Sequence, residues 1–344
     1  MARLADVAAA AGVSLATASR VLSGSVQPVS LGLHERVLDA ARRLQYVPNA
    51  HAQALVRSTT STVGLIVHDG SDPYFSEIAR GVFRAAREHD LLVLICNTYR
   101  EPASELRYIS ALRAQRVQAV LLAGSGFTRD DLELQTSAEL HAFQATGGRV
   151  VLVGRHRAAF DSVLPDNTGG AHQMTHYLLA AGHERIGVIA GPGILTTIED
   201  RLKGVREALS ELGLVLADDR LVSTPQLDRD SGHAGAGELL AKAPDITAIF
   251  ALNDTMAVGA LAALRERGVR VPDDISIVGF DDIPTVRDVT PPLTTVRLPM
   301  EAMGAHAMTL ALRSPAKQPR RVPMSAWVVE RESVAPPRPR RRKR

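Results

Sequence analysis

The residues near the N-terminus best suited to chemistry share one short stretch. Between Gly12-Val13-Ser14 and Gly24, at 100° per residue, Ala18, Val21 and Leu22 fall on one side of a helix. Ala16, Ser19 and Arg20 fall on the other, with Leu15 at the exposed N-terminal edge. Arginine can grip O6 and N7 of a guanine, and leucine or alanine can touch a thymine methyl, so the second face suits a DNA major groove. A plain three-helix bundle with one surface arginine has the same local pattern. Further along, Tyr74 and Phe75 are adjacent in a chain that is only 4% aromatic. A flat ring at the carboxyl end of a strand can stack on a sugar or a base; packing of a helix onto a core uses the same residues.

Other patterns promise less. His172 and His176 stand at i and i+4, as zinc pairs do, but Gln173 follows where a metalloprotease has glutamate, and no third ligand is near in sequence. Gly124-Ser125-Gly126 and Gly191-Pro192-Gly193 lack the third glycine of a dinucleotide loop, and no phosphate-loop lysine occurs. There is no Gly-x-Ser-x-Gly elbow. Asp130-Asp131 and Asp218-Asp219 read as solvated turns. No catalytic residue, metal or cofactor is expected.

The elements that must position these residues come in two styles. Residues 5–11, 15–22 and about 31–44 read as helices, the second capped by Ser14 and the third by Ser30, with Leu33, Val37 and Leu44 on one face. Tyr46-Val47-Pro48-Asn49 ends the third, residues 50–56 are again helical, and 57–61 form a polar linker. From Thr62 onward short β-branched runs at 63–67, 91–96, 119–122 and 150–153 alternate with helices at 74–89 and 104–115. A second alternation follows: strands at 185–190, 221–223, 248–251 and 275–279, and helices at 169–181, 201–212, 232–241 and 256–267. This predicts an α/β chain with an all-α head and two doubly wound parallel lobes around a cleft. Ligands in such sheets sit beyond the strands' carboxyl ends, here after Val67, Val153, Ala190, Ala251 and Gly279.

Composition agrees. The 344 residues are 45% hydrophobic and 22% charged, enough for a sizeable core and too long for one domain. A single cysteine, Cys96, excludes an internal disulfide and a cysteine zinc cluster. No apolar run is long enough to span a bilayer, and the first residues lack a secretory apolar region, so a cytoplasmic protein without membrane contact is expected. The net charge of +3 is uneven: residues 1–60 carry +3, the last seven carry six positive charges, and the middle is therefore acidic at −6. A basic end, rather than the body, should meet a polyanion.

The run from Asp6 to Leu22, together with Tyr46-Val47-Pro48-Asn49, Ala52 and Leu55, resembles the LacI/GalR family of transcriptional regulators. The resemblance continues through Asp72-Pro73-Tyr74-Phe75, Asp166-Asn167, Gly182-His183-Glu184-Arg185-Ile186, Asn253-Asp254 and the segment from Val271 to Asp281, covering residues 2–335. It implies a helix-turn-helix headpiece at 1–60, with a hinge helix at about 50–57. It also implies a periplasmic-binding-protein-like core at 61–335, with an N-lobe of about 61–162 and 293–323 and a C-lobe of about 163–292 and 324–335. Residues 336–344 then form a disordered basic tail.

By that resemblance Leu15, Ala16 and Arg20 read bases, and Ser14, Thr17, Ser19 and Asn49 contact phosphates. Leu55 wedges into the minor groove between central base pairs. Asp72, Tyr74, Phe75, Arg155, Arg201, Asn253, Asp281 and Arg297 match effector-contact positions, and Arg155, Arg201 and Arg297 would converge on a sugar derivative bearing an acidic group. The implied protein is a homodimeric repressor that binds a near-palindromic double-stranded DNA operator, with a small-molecule effector in the cleft acting allosterically on carbohydrate genes. A purine- or nucleoside-responsive regulator is the alternative within the architecture. A sugar-transport component is disfavoured by the headpiece, and an enzyme by the missing nucleophile and phosphate motifs. Some positions depart from the family: Gln53 stands where arginine is usual, and Gly32, Leu33 and His34 replace the usual start of the third helix. In the core, Gly154 stands where sugar-binding members often keep aspartate, Leu195 where a purine-responsive member needs a polar contact, and Arg297 where glutamine is common.

Overall fold

The computed structural model describes residues 2–22, 29–47 and 60–338. Asn49, Leu55, Gln53, the expected hinge at 50–57 and the tail from 339 lie outside the described residues. The chain divides into two compact units: a head, Met1–Ser61 with Gln115–Gln118, and a core, Thr62–Ala114 with Ala119–Arg344.

Among its described residues the head has three helices: α1 (Leu4–Ala11), α2 (Leu15–Leu22) and α3 (Leu31–Arg43). Asp6 begins α1 by accepting from the Arg3 backbone N–H at 2.7 Å, and Gly12 ends it at φ +62°, the left-handed turn that a residue without Cβ adopts freely. The axis turns by 105° into α2, within the helix-turn-helix range. Ser14 caps α2 as expected, its Oγ accepting from the Thr17 N–H at 3.1 Å. Ser30 stands at the N-cap of α3 but makes no side-chain capping bond. Val7, Ala8, Ala11, Ala18, Val21, Val37, Ala40 and Ala41 form the core of this unit, and Leu44, expected to share it, is exposed beyond the helix end.

The core unit holds two six-stranded sheets. The first contains β1 (Thr62–Val67), β2 (Leu92–Asn97), β3 (Ala119–Ala123), β4 (Arg149–Val153), β5 (Asp161–Pro165) and β11 (Arg321–Met324), all parallel, in the order β11-β5-β4-β3-β1-β2. The second contains β6 (Ile186–Ala190), β7 (Leu221–Ser223), β8 (Ala248–Ala251), β9 (Ser276–Asp281), β10 (Thr294–Arg297) and β12 (Trp327–Val329), in the order β12-β10-β9-β8-β6-β7, with only the β10–β12 pair antiparallel. Eight helices of the core complete the alternation: α4 (Pro73–Arg87), α5 (Pro102–Ala114), α6 (Asp130–Ala145), α7 (Asn167–Ala180), α8 (Thr196–Glu211), α9 (Arg229–Lys242), α10 (Asp254–Glu266) and α11 (Met300–Leu312). Central strands are buried throughout, as strands covered on both faces must be.

The chain passes between the sheets three times, and two passages differ from expectation. β5 belongs to the first sheet through Pro165, so the first passage follows 165, not 162. β10 belongs to the second sheet, so the return comes after Arg297 rather than at 293. The last passage, after Met324 at the end of β11, falls within a residue of the expected 323. β5, β10 and β11 carry Asp, Thr, Arg or Pro, which breaks the apolar pattern, and β12 is only three residues long; their partners in the sheet make them strands. Helix α6 is a further element absent from the sequence expectation, and Asp130-Asp131 opens it instead of forming a free turn. Asp218-Asp219 does lie in a short turn, a 3-10 helix of Asp218–Arg220. Of the expected disordered tail, Arg338 pairs with Asp274 at 3.2 Å and Asp273 at 3.5 Å, so the segment to 338 lies against the core.

Candidate functional site

In each sheet the strand order reverses once, between β1 and β3 in the first and between β6 and β8 in the second. A doubly wound sheet opens a crevice at that reversal, beyond the strands' carboxyl ends. Both crevices contribute to one cavity. His68 follows β1, Gly124 and Ser125 follow β3, and Asn253 follows β8; Asp72, Tyr74, Phe75, Arg100, Gly154, Pro165, Thr197, Arg201, Leu227 and Asp281 complete the lining. Six of the eight expected cleft residues are therefore here: Asp72, Tyr74, Phe75, Arg201, Asn253 and Asp281.

Arg201 is the best-held group. Its side chain is 4% exposed, Nη2 donates to Asp281 Oδ1 at 2.7 Å, Nε to Asn167 Oδ1 at 2.9 Å and Nη1 to the Leu252 carbonyl at 2.5 Å. The guanidinium also lies 3.7 Å above the centre of the Phe280 ring. It is thus a fixed cation. Burial pushes the Asp281 carboxyl up to about 7, against the pull of Arg201 and with a further push from Asp72. Asp72 caps α4 by accepting from the Tyr74 N–H at 3.0 Å, and burial raises its carboxyl too. Arg100 Nη2 stands 3.9 Å from Asp72 Oδ2.

Tyr74 meets Phe75 edge to face at 5.0 Å. Phe75 is 4% exposed and spends most of its surface on the core, so only Tyr74 is available as a stacking face. Asn253 Oδ1 accepts from the Met256 N–H at 2.8 Å and its Nδ2 donates to the Leu227 carbonyl at 3.0 Å, so its amide is committed to capping α10. His68 is buried, which drives its pKa down to about 3 with help from Arg100. It is neutral, and because the Ser125 carbonyl 3.0 Å from Nε2 can only accept, the proton sits on Nε2.

Two expected cleft residues are elsewhere. Arg297 donates to Asp282, a fully buried carboxylate that also takes Arg331 at 2.6 Å, and its guanidinium lies 6.0 Å from the Trp327 ring. Arg155 bridges the lobes outside the cavity, binding Asp200 at 2.9 Å, Glu199 at 2.5 Å and the Thr196 carbonyl at 3.2 Å. The three arginines do not converge, because each has been drawn to its own carboxylate. Arg100, His68, Ser125 and Thr197 are cavity residues that sequence reasoning missed. His68 lies in a segment the strand-end rule names, after Val67; Arg100 and Ser125 follow β2 and β3, two strand ends outside the set to which the rule was applied.

The cleft is closed. Phe127 and Leu195 form a β-bridge, the Thr128 N–H reaches the Ile194 carbonyl at 2.8 Å, and Ser125 Oγ donates to Thr197 Oγ1 at 2.5 Å. The enclosed space is only 40 Å³, room for about three waters. Within the first sheet, Gly154 beyond β4 packs against Gly124 beyond β3: it has φ +126°, and a Cβ on it would lie 2.2 Å from the Gly124 carbonyl oxygen.

On the head, α2 turns Ala18 and Val21 inward, while Ser14, Leu15, Ala16, Ser19 and Arg20 are exposed and Thr17 is half-buried. Leu15 is 54% exposed at the N-terminal edge of this face. Arg20 Nε bends back to the Ala16 carbonyl at 3.3 Å.

Residues 3–49 match the bacterial regulatory proteins of the lacI family, and residues 175–334 match a periplasmic binding protein-like domain. The transcriptional regulator GalS of Salmonella typhimurium is 39% identical over 90% of this chain and 89% of its own. The chain belongs to the LacI family. The transcriptional repressor PurR of Haemophilus influenzae is 34% identical over 91% of this chain and 90% of its own. The solved complex of the transcriptional regulator CelR with cellobiose superposes with a TM-score of 0.71 at 34% identity, covering 97% of this chain and 100% of that one. As a LacI-family member the protein is a DNA-binding transcriptional regulator and not an enzyme. Among the described residues no single helix is long and apolar enough to cross a membrane.

Proposed function

We propose that this LacI-family regulator is a homodimeric repressor, and that its cleft takes a neutral sugar as effector. The observation that carries the ligand class is the pairing of groups around the cavity: Arg201 is bonded to Asp281 at 2.7 Å and Arg100 stands 3.9 Å from Asp72, so each guanidinium already faces a carboxyl group and neither is left over for an anionic ligand. Carboxylates accept pairs of vicinal hydroxyls and guanidinium groups donate to them, while Tyr74 offers an apolar face to a sugar ring. The argument for an acidic group rested on converging Arg155, Arg201 and Arg297, and two of these point elsewhere. The purine alternative gains nothing from Leu195, which is 1% exposed and committed to the bridge with Phe127. That CelR was solved with cellobiose supports the sugar class.

A sugar needs several times the present cavity volume, so binding couples to separation and reclosure of the lobes. An effector that favours one lobe spacing biases the regulator between DNA-binding states by that difference in affinity. Dimerisation is supported by the edge strand β2, where Leu92 is 61% and Ile95 48% exposed, beside Phe83 at 44% on α4. Two heads then read two half-sites through Leu15, Ala16 and Arg20, with Ser14, Thr17, Ser19 and Asn49 on phosphates and Leu55 as the central wedge.

Sequencing of genomic fragments retained by the purified protein tests the DNA half, and a near-palindrome lost with Leu55→Ala is the expected result. A thermal-shift panel of neutral sugars, sugar acids and purines tests the ligand half. Stabilisation by sugar acids or purines alone would overturn the assignment of ligand class.

A further inference from the structure

The histidine pair that lacks a third ligand in the sequence acquires one in the fold. His172 and His176 lie one turn apart on α7, and Glu211 is the last residue of the neighbouring α8. His172 Nε2 is 2.8 Å from Glu211 Oε1 and His176 Nε2 is 2.7 Å from Oε2. The two imidazoles meet edge to face at 4.6 Å, and the three potential ligand atoms lie within 4.8 Å of one another. We propose that His172, His176 and Glu211 form a binding site for Zn2+ or a similar divalent transition ion, outside the effector cleft.

Two imidazoles and a carboxylate are a recognised zinc ligand set, and imidazole nitrogen selects such ions over Mg2+ and Ca2+. Ligands about 2.05 Å from a tetrahedral ion are about 3.3 Å apart, so the two imidazole–carboxylate spacings need to widen by about half an ångström, within a set whose ligand atoms already lie no more than 4.8 Å apart. Each imidazole binds through Nε2 as the neutral ring, its proton moving to Nδ1. The backbone beneath is fixed: Gly204, two turns before Glu211, lets α8 press onto α7 so closely that a Cβ would lie 2.2 Å from the Thr168 carbonyl oxygen. The side chains are 31%, 39% and 52% exposed, which leaves a coordination position open to water. A bound ion would clamp α7 to α8 at this end, as the Arg201–Asn167 hydrogen bond of 2.9 Å does at the other.

The test titrates the EDTA-treated full-length protein with ZnCl2 by calorimetry and with CoCl2 by visible absorption. The expected result is one ion per chain in the micromolar range or tighter, with the visible bands of four-coordinate Co2+. His172→Ala, His176→Ala and Glu211→Gln should each weaken binding by more than the roughly tenfold that losing even a ligand's hydrogen-bond partner costs. His233→Ala, which removes an exposed histidine paired with Glu266 at 2.8 Å, should leave affinity and stoichiometry unchanged. Binding only at millimolar metal, or binding that survives the double variant His172→Ala/His176→Ala, would overturn the proposal.

Discussion

Replacing Arg201 with alanine tests the electrostatics of the cleft, because the cost of the change should depend on pH. Arg201 and Asp281 are both at most 4% exposed and bonded at 2.7 Å. Breaking a buried pair by removing one partner costs about 3–5 kcal/mol when the other stays charged. Asp281 has an escape, since its carboxyl already titrates near 7. A carboxyl raised in the folded state lowers stability as pH climbs from about 4, the unfolded value, to the folded value, and the loss levels off above it. In the wild type that window closes near pH 7. Without Arg201 the folded value moves higher and the window stays open, so the variant continues to lose about 1.4 kcal/mol per pH unit. Between pH 7 and 8.5 the gap between variant and wild type should therefore widen by about 2 kcal/mol. Below pH 6 both carry neutral Asp281, and the gap should shrink to the lost hydrogen bonds and the Phe280 contact. Urea unfolding at pH 5.5, 7 and 8.5, followed by the fluorescence of Trp327, the single tryptophan, measures this directly. A difference in stability that is the same at pH 5.5 and 8.5 would refute the reasoning, because it would mean that Asp281 does not take up a proton when its partner is lost.

Three other outcomes follow from the same geometry. Arg20→Ala should cost about 1–3 kcal/mol at one base pair per half-site and relax preference there, measured by gel shift on operators changed base by base. Arg155→Ala removes the bonds to Glu199, Asp200 and the Thr196 carbonyl that bridge the lobes. Because the arginine is 44% exposed, core stability should fall by no more than about 1 kcal/mol, while stopped-flow binding of the effector should become faster. Gly154→Asp, toward the residue common in sugar-binding relatives, places a Cβ against the Gly124 carbonyl at φ +126° and should destabilise the core by about 1–3 kcal/mol in a urea titration.

How far the sequence could be read depended on how local the cause was. The strands β1, β3, β4, β6, β8 and β9 are apolar, β-branched runs buried on both faces, and their periodicity reveals them. Asp161–Pro165 and Thr294–Arg297 have no such run, and their neighbours in the sheet define them, so both lobe passages differ from the sequence expectation. Asp72, the aromatic pair and Asn253 lie where a helix opens at a topological reversal, whereas Arg201 sits in the second turn of α8 and Asp281 ends β9, so the family resemblance rather than a reversal pointed to those two. Arg100 and Ser125 obey the same rule at β2 and β3, and applying it to every strand finds them.

The sequence alone determined the helix-turn-helix, because its signals act within one or two turns: Gly12 to stop a helix, Ser14 to start the next, and a period that turns Leu15, Ala16 and Arg20 outward. It also determined the two alternations of strand and helix, which need only short-range patterns. Charge pairing was decided by tertiary structure. Arg155, Arg201 and Arg297 look equivalent in the chain, yet Arg201 enters the cavity, Arg155 bridges the lobes and Arg297 is held by buried Asp282. The partner that settles Arg201 is Asp281, 80 residues away; for Arg155 it is Asp200, at 45, and for Arg297 it is Asp282, at 15. The same holds for Glu211, 35 residues from His176 and brought to it by helix packing. A buried ion takes the nearest opposite charge that desolvation leaves it, and which charge is nearest is a property of the fold.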